Sequence, residues 1–227
     1  MKTRTLTICL LVLVWGSVTL PNATAAISEI VISAETVRDF GQKSPENVEF
    51  VNDPDASHGL AISFTGGANG NPVPQPTSWI EVEFRADAAE YFIWLRGKSN
   101  GDTGTDSTWF QFDDQIGTDK HTAFPGAEAR GIGNWRDVFD AGIWVWAGQE
   151  VPPPGVISVK FKLAGPHKIR VQPRQTPHLV DQIWLSLEQD ERPPDNNPVD
   201  WDAAKDPRPV NPTGKIAITW GKLKQSP

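Results

Sequence analysis

Trp144 and Trp146 alternate through the short segment GIWVWAG (142–148), placing two indoles on one face of a strand and Ile143 and Val145 on the other. Trp135 stands upstream beside Asn134, Arg136 and Asp137, and Arg174 sits in the turn PRQTPH. A flat indole can stack on the apolar C–H face of a pyranose while polar neighbours orient its hydroxyls. A guanidinium adds a planar fork of donors for hydroxyls or a uronic carboxylate. Trp135, Trp144, Trp146 and Arg174 are therefore the candidate ligand-binding residues, against the alternative that each tryptophan simply packs, as aromatics in sandwiches usually do. Trp94 and Trp184 lie inside strongly patterned strands and read as core.

A second constellation is electrostatic. In HLVDQIWLSL (178–187) strict alternation puts Asp181 on one face with Leu179, Ile183, Leu185 and Leu187. A carboxylate in an apolar stripe is costly unless it meets an arginine, several N–H donors or a metal ion. One reading pairs Asp181 with backbone or an arginine. The other makes it a structural calcium ligand, with Glu35 at the end of the first strand as a second hard oxygen donor. Other arrangements carry less. The run Asn100–Asp106 lacks the twelfth-position Glu of a calcium loop. The four histidines have no metal spacing. Acid pairs for glycoside hydrolysis drawn from Asp113, Asp114, Asp137 or Asp140 arise by chance in so many acidic turns.

The elements that must position these residues are strands. ISEIVISAE (27–35), HGLAISF (58–64), SWIEVEF (78–84), EYFIWLRG (90–97), STWFQFD (107–113), VISVKFKL (156–163) and PHKIRVQ (166–172) join the two segments above in carrying β-branched or aromatic residues at period two. In VISVKFKL the alternation sends Ile157, Val159, Phe161 and Leu163 inward. Twenty prolines and nineteen glycines punctuate 227 residues, and only 125–140 has room for a short turn of helix. Short strands without helical crossovers mean an all-β fold, an antiparallel sandwich or barrel.

At the front, Lys2 and Arg4 precede an apolar run (6–15) and the small residues 23–26, the order of a cleaved signal peptide over residues 1–26. The mature chain then contains no cysteine, since Cys9 goes with the leader, and its formal charge moves from −7 to −9. Such a chain offers no basic footprint for nucleic acid and, after cleavage, no apolar stretch long enough to span a membrane. It is expected to be secreted, periplasmic or held at the cell envelope, as a monomer. Residues 27–190 form the sandwich. The Pro/Asp/Asn-rich stretch 191–214 reads as a linker too polar to pack, and 215–227 as a last strand or an exposed tag.

The order YFIWLRG, TDSTWFQFDD, WVW, LAGPHKIRVQPR and LVDQIWLS resembles a galactose-binding-like β-sandwich over about residues 28–190. In particular it is similar to the carbohydrate-binding modules of families six and thirty-five. Those modules open with an acid-Ala-Glu element, matched by Ser33-Ala34-Glu35. They carry a Gly-x-His, here Gly165-Pro166-His167, and a Leu-x-Asp-x-Ile-x-Leu last strand, here Leu179 to Leu185. The resemblance implies a jelly-roll of two antiparallel sheets, no catalysis, and a structural calcium between the first and last strands. It favours Trp146 as the stacking residue. Two positions depart from it: Ser33 replaces the first acid, and Leu179 stands where some members have an Asn that bonds the sugar. Three functions follow in order: a non-catalytic carbohydrate-binding module with a polysaccharide or glycan partner; an envelope structural or interaction protein that kept the sandwich and lost the sugar; and a polysaccharide lyase or glycosidase.

Overall fold

Period-two alternation buries one face of an extended chain and leaves the other outward. In a computed structural model, which describes residues 27–99, 105, 107–120, 142–147, 157–188 and 195–199, these segments form eleven strands and one short helix. They are β1 (Glu29–Ser33), α1 (Ala34–Phe40), β2 (Gln42–Lys43), β3 (Val48–Asn52), β4 (Leu60–Phe64), β5 (Ile80–Ala86), β6 (Glu90–Ser99), β7 (Thr108–Phe112), β8 (Val145–Ala147), β9 (Ser158–Lys160), β10 (Gly165–Pro173) and β11 (His178–Ser186).

The larger sheet runs β3-β4-β11-β6-β8, with β1 sharing the β4 side of β11 and β9 sharing the β8 side of β6. The smaller sheet runs β2-β5-β10-β7. Every pairing is antiparallel. The fold is the expected all-β jelly-roll sandwich. Its core joins Ile62, Phe64, Ile93, Leu95, Ile183 and Leu185 of one sheet to Val82, Phe84, Phe110, Ile169 and Val171 of the other. Phe84 meets Phe112 and Phe161 edge-on at 6.4 and 5.8 Å, contacts that add about 0.5–1.5 kcal/mol each beyond area burial.

The structure corrects the strand reading in four places. Residues 27–35 are not one strand: Ser33 caps α1, its hydroxyl accepting from the Thr36 N–H while the Thr36 side chain accepts from the Ser33 N–H. The β11 alternation breaks where the register shifts between Val180 and Gln182, so Val180, Ile183 and Leu185 face the core while Leu179 packs outward beside Trp144. β9 ends at Lys160, leaving Leu163 at 75% exposure rather than inside. Within the stretch expected to be an unpacked linker, residues 195–199 lie on the larger sheet and bond to it through their backbone. The signal segment 1–26, the 125–140 stretch and the C-terminal 215–227 lie outside the described residues.

Candidate functional site

The outer surface of the larger sheet collects the polar and aromatic side chains that alternation removes from the core. β6 supplies Trp94, Arg96 and Lys98; β8 and the residue before it supply Trp146 and Trp144; β11 supplies Leu179, Gln182 and Trp184. Register sets them side by side. Trp184 pairs Trp94, Arg96 pairs both Gln182 and Trp146, and Leu179 pairs both Lys98 and Ser63. One end of this face is a cluster of Trp94, Trp146 and Trp184, with Trp146 and Trp184 edge-to-face at 6.0 Å. The other end opens into a cavity of about 400 Å³ lined by Ser63, Lys98, Ser99, Gly142, Pro177, His178 and Leu179.

The cavity wall is set by charge. The Lys98 ammonium lies 2.7 Å from Asp53 Oδ2 and 5.4 Å from the centre of the Trp144 ring, and Trp144 Nε1–H donates to Asp53 Oδ1 at 3.2 Å. Burial opposes the Asp53 charge, but donors from Lys98, Trp144 and the Asp55 N–H outweigh it and hold the carboxyl below its ordinary value. Asp53 takes one of the three N–H donors of Lys98. His178 bonds through Nδ1 to the Gln175 carbonyl at 2.8 Å, so Nδ1 is the donor. Burial lowers its pKa to about 4, which keeps the ring neutral at pH 7.

A buried polar cluster lies between the two ends. Asp181 Oδ2 accepts from Arg96 Nη1, and Oδ1 accepts from the Ser57 N–H at 2.9 Å. Burial pushes the Asp181 carboxyl up; the Ser57 and Arg96 donors act against it, and the nearby Glu35 charge adds to it. Arg96 also donates to the carbonyls of Asp55 (3.1 Å) and Asn196 (2.8 Å). Glu35 differs. Both of its carboxylate oxygens are buried without a hydrogen-bond donor among the described residues, and His58 Nδ1 lies 3.8 Å from Oε2. With the Arg96 guanidinium taken by Asp181, the buried Glu35 carboxylate is left without a compensating donor among the described residues. Glu35 and Asp181 are the residues that would hold a calcium ion here; the orphaned Glu35 oxygens are the hard donors such an ion needs, whereas both Asp181 oxygens are already engaged by Ser57 and Arg96. The fit is partial: no cluster of three or more acidic, His or Cys ligands occurs among the described residues, so backbone oxygens and water would have to complete the shell.

The candidates named from the sequence fare differently. The Glu35 charge acts on Asp181, whose own oxygens are paired with Ser57 and Arg96. Ser33 is committed to the helix cap. Trp146 is 0% and Trp144 4% exposed, so neither offers an open indole face to a sugar, and the stacking role expected for them is not available in this arrangement. Trp146 lies beneath residues 195–199, donating Nε1–H to the Asn197 carbonyl at 2.7 Å; Trp144 stands behind Lys98 and Arg96. Trp94 and Trp184 are buried as expected, but on the outer face and not between the sheets. Arg174 is directed elsewhere, donating to Ser107 Oγ at 3.0 Å with its guanidinium 5.9 Å from the Trp109 ring. Trp135 lies outside the described residues. Sequence reading missed Ser63, Lys98, Ser99 and His178. The signal was present for Lys98, because WLRGK continues the outward period-two series from Trp94 through Arg96.

No protein-family profile matches the chain, and no curated protein matches it. Among solved structures it is similar to a family 35 carbohydrate-binding module from Clostridium thermocellum, at 13% identity over 69% of this chain and 97% of that one, with a TM-score of 0.46. It is also similar to the C-terminal family 6 module of a laminarinase from Zobellia galactanivorans (15%, 70% and 98%, TM-score 0.37). A third is the xylan-binding family 22 domain of a Paenibacillus barcinonensis protein (9%, 74% and 100%, TM-score 0.43).

Proposed function

We propose that the chain is a non-catalytic carbohydrate-binding module of an exported protein, docking a glycan in the cavity between β4, β6 and β11. The observation that carries this is the cavity's lining: Pro177 and Leu179 offer apolar surface for a pyranose C–H face, while Ser63 and Lys98 offer hydroxyl and ammonium partners for its hydroxyls. A structural calcium at Glu35 and Asp181 belongs to the same reading. The charge of −9 after leader removal favours neutral or sparsely acidic polysaccharides over polyanions.

Binding to a single shallow cavity is expected to be weak, micromolar to millimolar, or about −8 to −4 kcal/mol. A glycan-array screen of the mature protein followed by calorimetry tests it. Lys98→Ala is expected to weaken binding roughly tenfold, the effect of losing one charge-assisted hydrogen bond, with the fold retained. Absence of any glycan ligand would leave the envelope-interaction reading, which the covered indoles favour.

A further inference from the structure

Residues 195–199 occupy the three-tryptophan end of the outer face the way a ligand would. They are held through main-chain groups. The carbonyls of Asn196, Asn197 and Val199 accept from Arg96 Nε (2.8 Å), Trp146 Nε1 (2.7 Å) and Gln182 Nε2 (3.1 Å), and the Val199 N–H donates to Gln182 Oε1 at 2.9 Å. Val199 packs its side chain against the indole cluster, and residues 195–197 are exposed. Asp195 Oδ1 accepts from the Asn197 N–H at 3.1 Å and bends the segment over the sheet. The fit is incomplete. Trp184 is 9% exposed, yet its indole N–H is buried without an acceptor among the described residues. A buried donor left unpaired costs free energy that a better-matched occupant would recover. The face thus presents a row of donors (Arg96, Trp146, Gln182 and the unused Trp184) over aromatic surface, and the strap fills it with backbone carbonyls.

We propose that residues 195–199 are a releasable internal occupant of this face, and that an unbranched glycan long enough to run from the Lys98 cavity past Arg96 must displace them. The inference rests on the glycan reading above and adds its regulation: the strap confines short ligands to the cavity and opposes long ones. Sugar hydroxyls and ring oxygens can accept from the same donors, and pyranose faces can lie on the uncovered indoles. Displacement sets the apparent affinity for long chains, because the competent state is populated only when the strap is off.

The test uses the full mature chain and Val199→Asp, which drives a charge onto the apolar seat of the strap, with Val199→Ala as a milder variant should the first fail to fold. Acrylamide quenching of tryptophan fluorescence reports release directly. Xylobiose and xylohexaose, and in parallel laminaribiose and laminarihexaose, serve as calorimetric probes. Release is expected to raise hexasaccharide affinity at least tenfold and leave disaccharide affinity within about twofold. Increased quenching with unchanged hexasaccharide affinity would overturn the strap proposal alone. Binding of no saccharide of any length by wild type or variant would overturn the glycan reading, and the strap proposal with it.

Discussion

At the scale of single residues, burial decides what each titratable group can do. His178 sits 2% exposed behind the cavity, with its pKa lowered from 6.5 to about 4. A base with a depressed pKa binds its proton less tightly folded than unfolded. Its contribution is therefore complete above about pH 6.5 and is lost as pH falls towards 4. At pH 5 the loss is about 2 kcal/mol, at 1.36 kcal/mol per unit. Asp181 acts in the opposite sense, because an acid with a raised pKa favours the folded state as pH falls. The two are separated by comparison: urea melts of wild type and His178→Gln at pH 7 and pH 5 should differ in pH slope by about that 2 kcal/mol. Equal slopes would mean that His178 takes up its proton in the fold as easily as in the unfolded chain.

At the scale of elements, α1 is the piece that the strand pattern hides. Seven residues give fewer than two turns, too few for a 3.6-residue period to register, and the preceding ISEIVIS alternates cleanly. What starts the helix is a capping exchange between Ser33 and Thr36, with Glu35 in the first turn where an acid suits the dipole. Ser33→Ala is expected to cost about 1 kcal/mol in thermal or urea unfolding. It should also loosen the placement of Glu35, two residues on. Strand existence, sheet pairing and the two-layer core were readable because β-branched and aromatic residues alternate against fixed spacing. The candidate site was less so, for two physical reasons. Alternation tells which residues share a face and not what covers it: it puts Trp144 and Trp146 on one face, but Trp146 is covered by residues 195–199, some fifty positions on, and Trp144 by Arg96 and Lys98. The register shift at Asp181 also inverts the sides of its neighbours, moving Leu179 to the cavity wall and Val180 into the core.

At the scale of the molecule, one buried cluster ties together parts of the chain far apart in sequence. Glu35 comes from α1, Ser57 from the turn before β4, Arg96 from β6 and Asp181 from β11. A cation binding there would be available only to the folded chain, since the unfolded one scatters those oxygens, and so would stabilise the whole sandwich. At a hundred times its dissociation constant, calcium would add about 2.7 kcal/mol. For a domain of this size that is a rise in Tm of roughly 5–10 °C. The same charge count predicts the behaviour without metal. Glu35→Gln removes the carboxylate that has no donor and keeps its shape, so it should raise Tm in chelator while abolishing the response to calcium. Asp181→Ala should lower Tm under both conditions by about 3–5 kcal/mol equivalent, because it strands the Arg96 guanidinium. Melts of the three proteins in calcium and in chelator separate the cases. A wild type indifferent to calcium, together with a Glu35→Gln that is no more stable in chelator, would show that the unpartnered Glu35 carboxylate neither awaits a cation nor strains the fold.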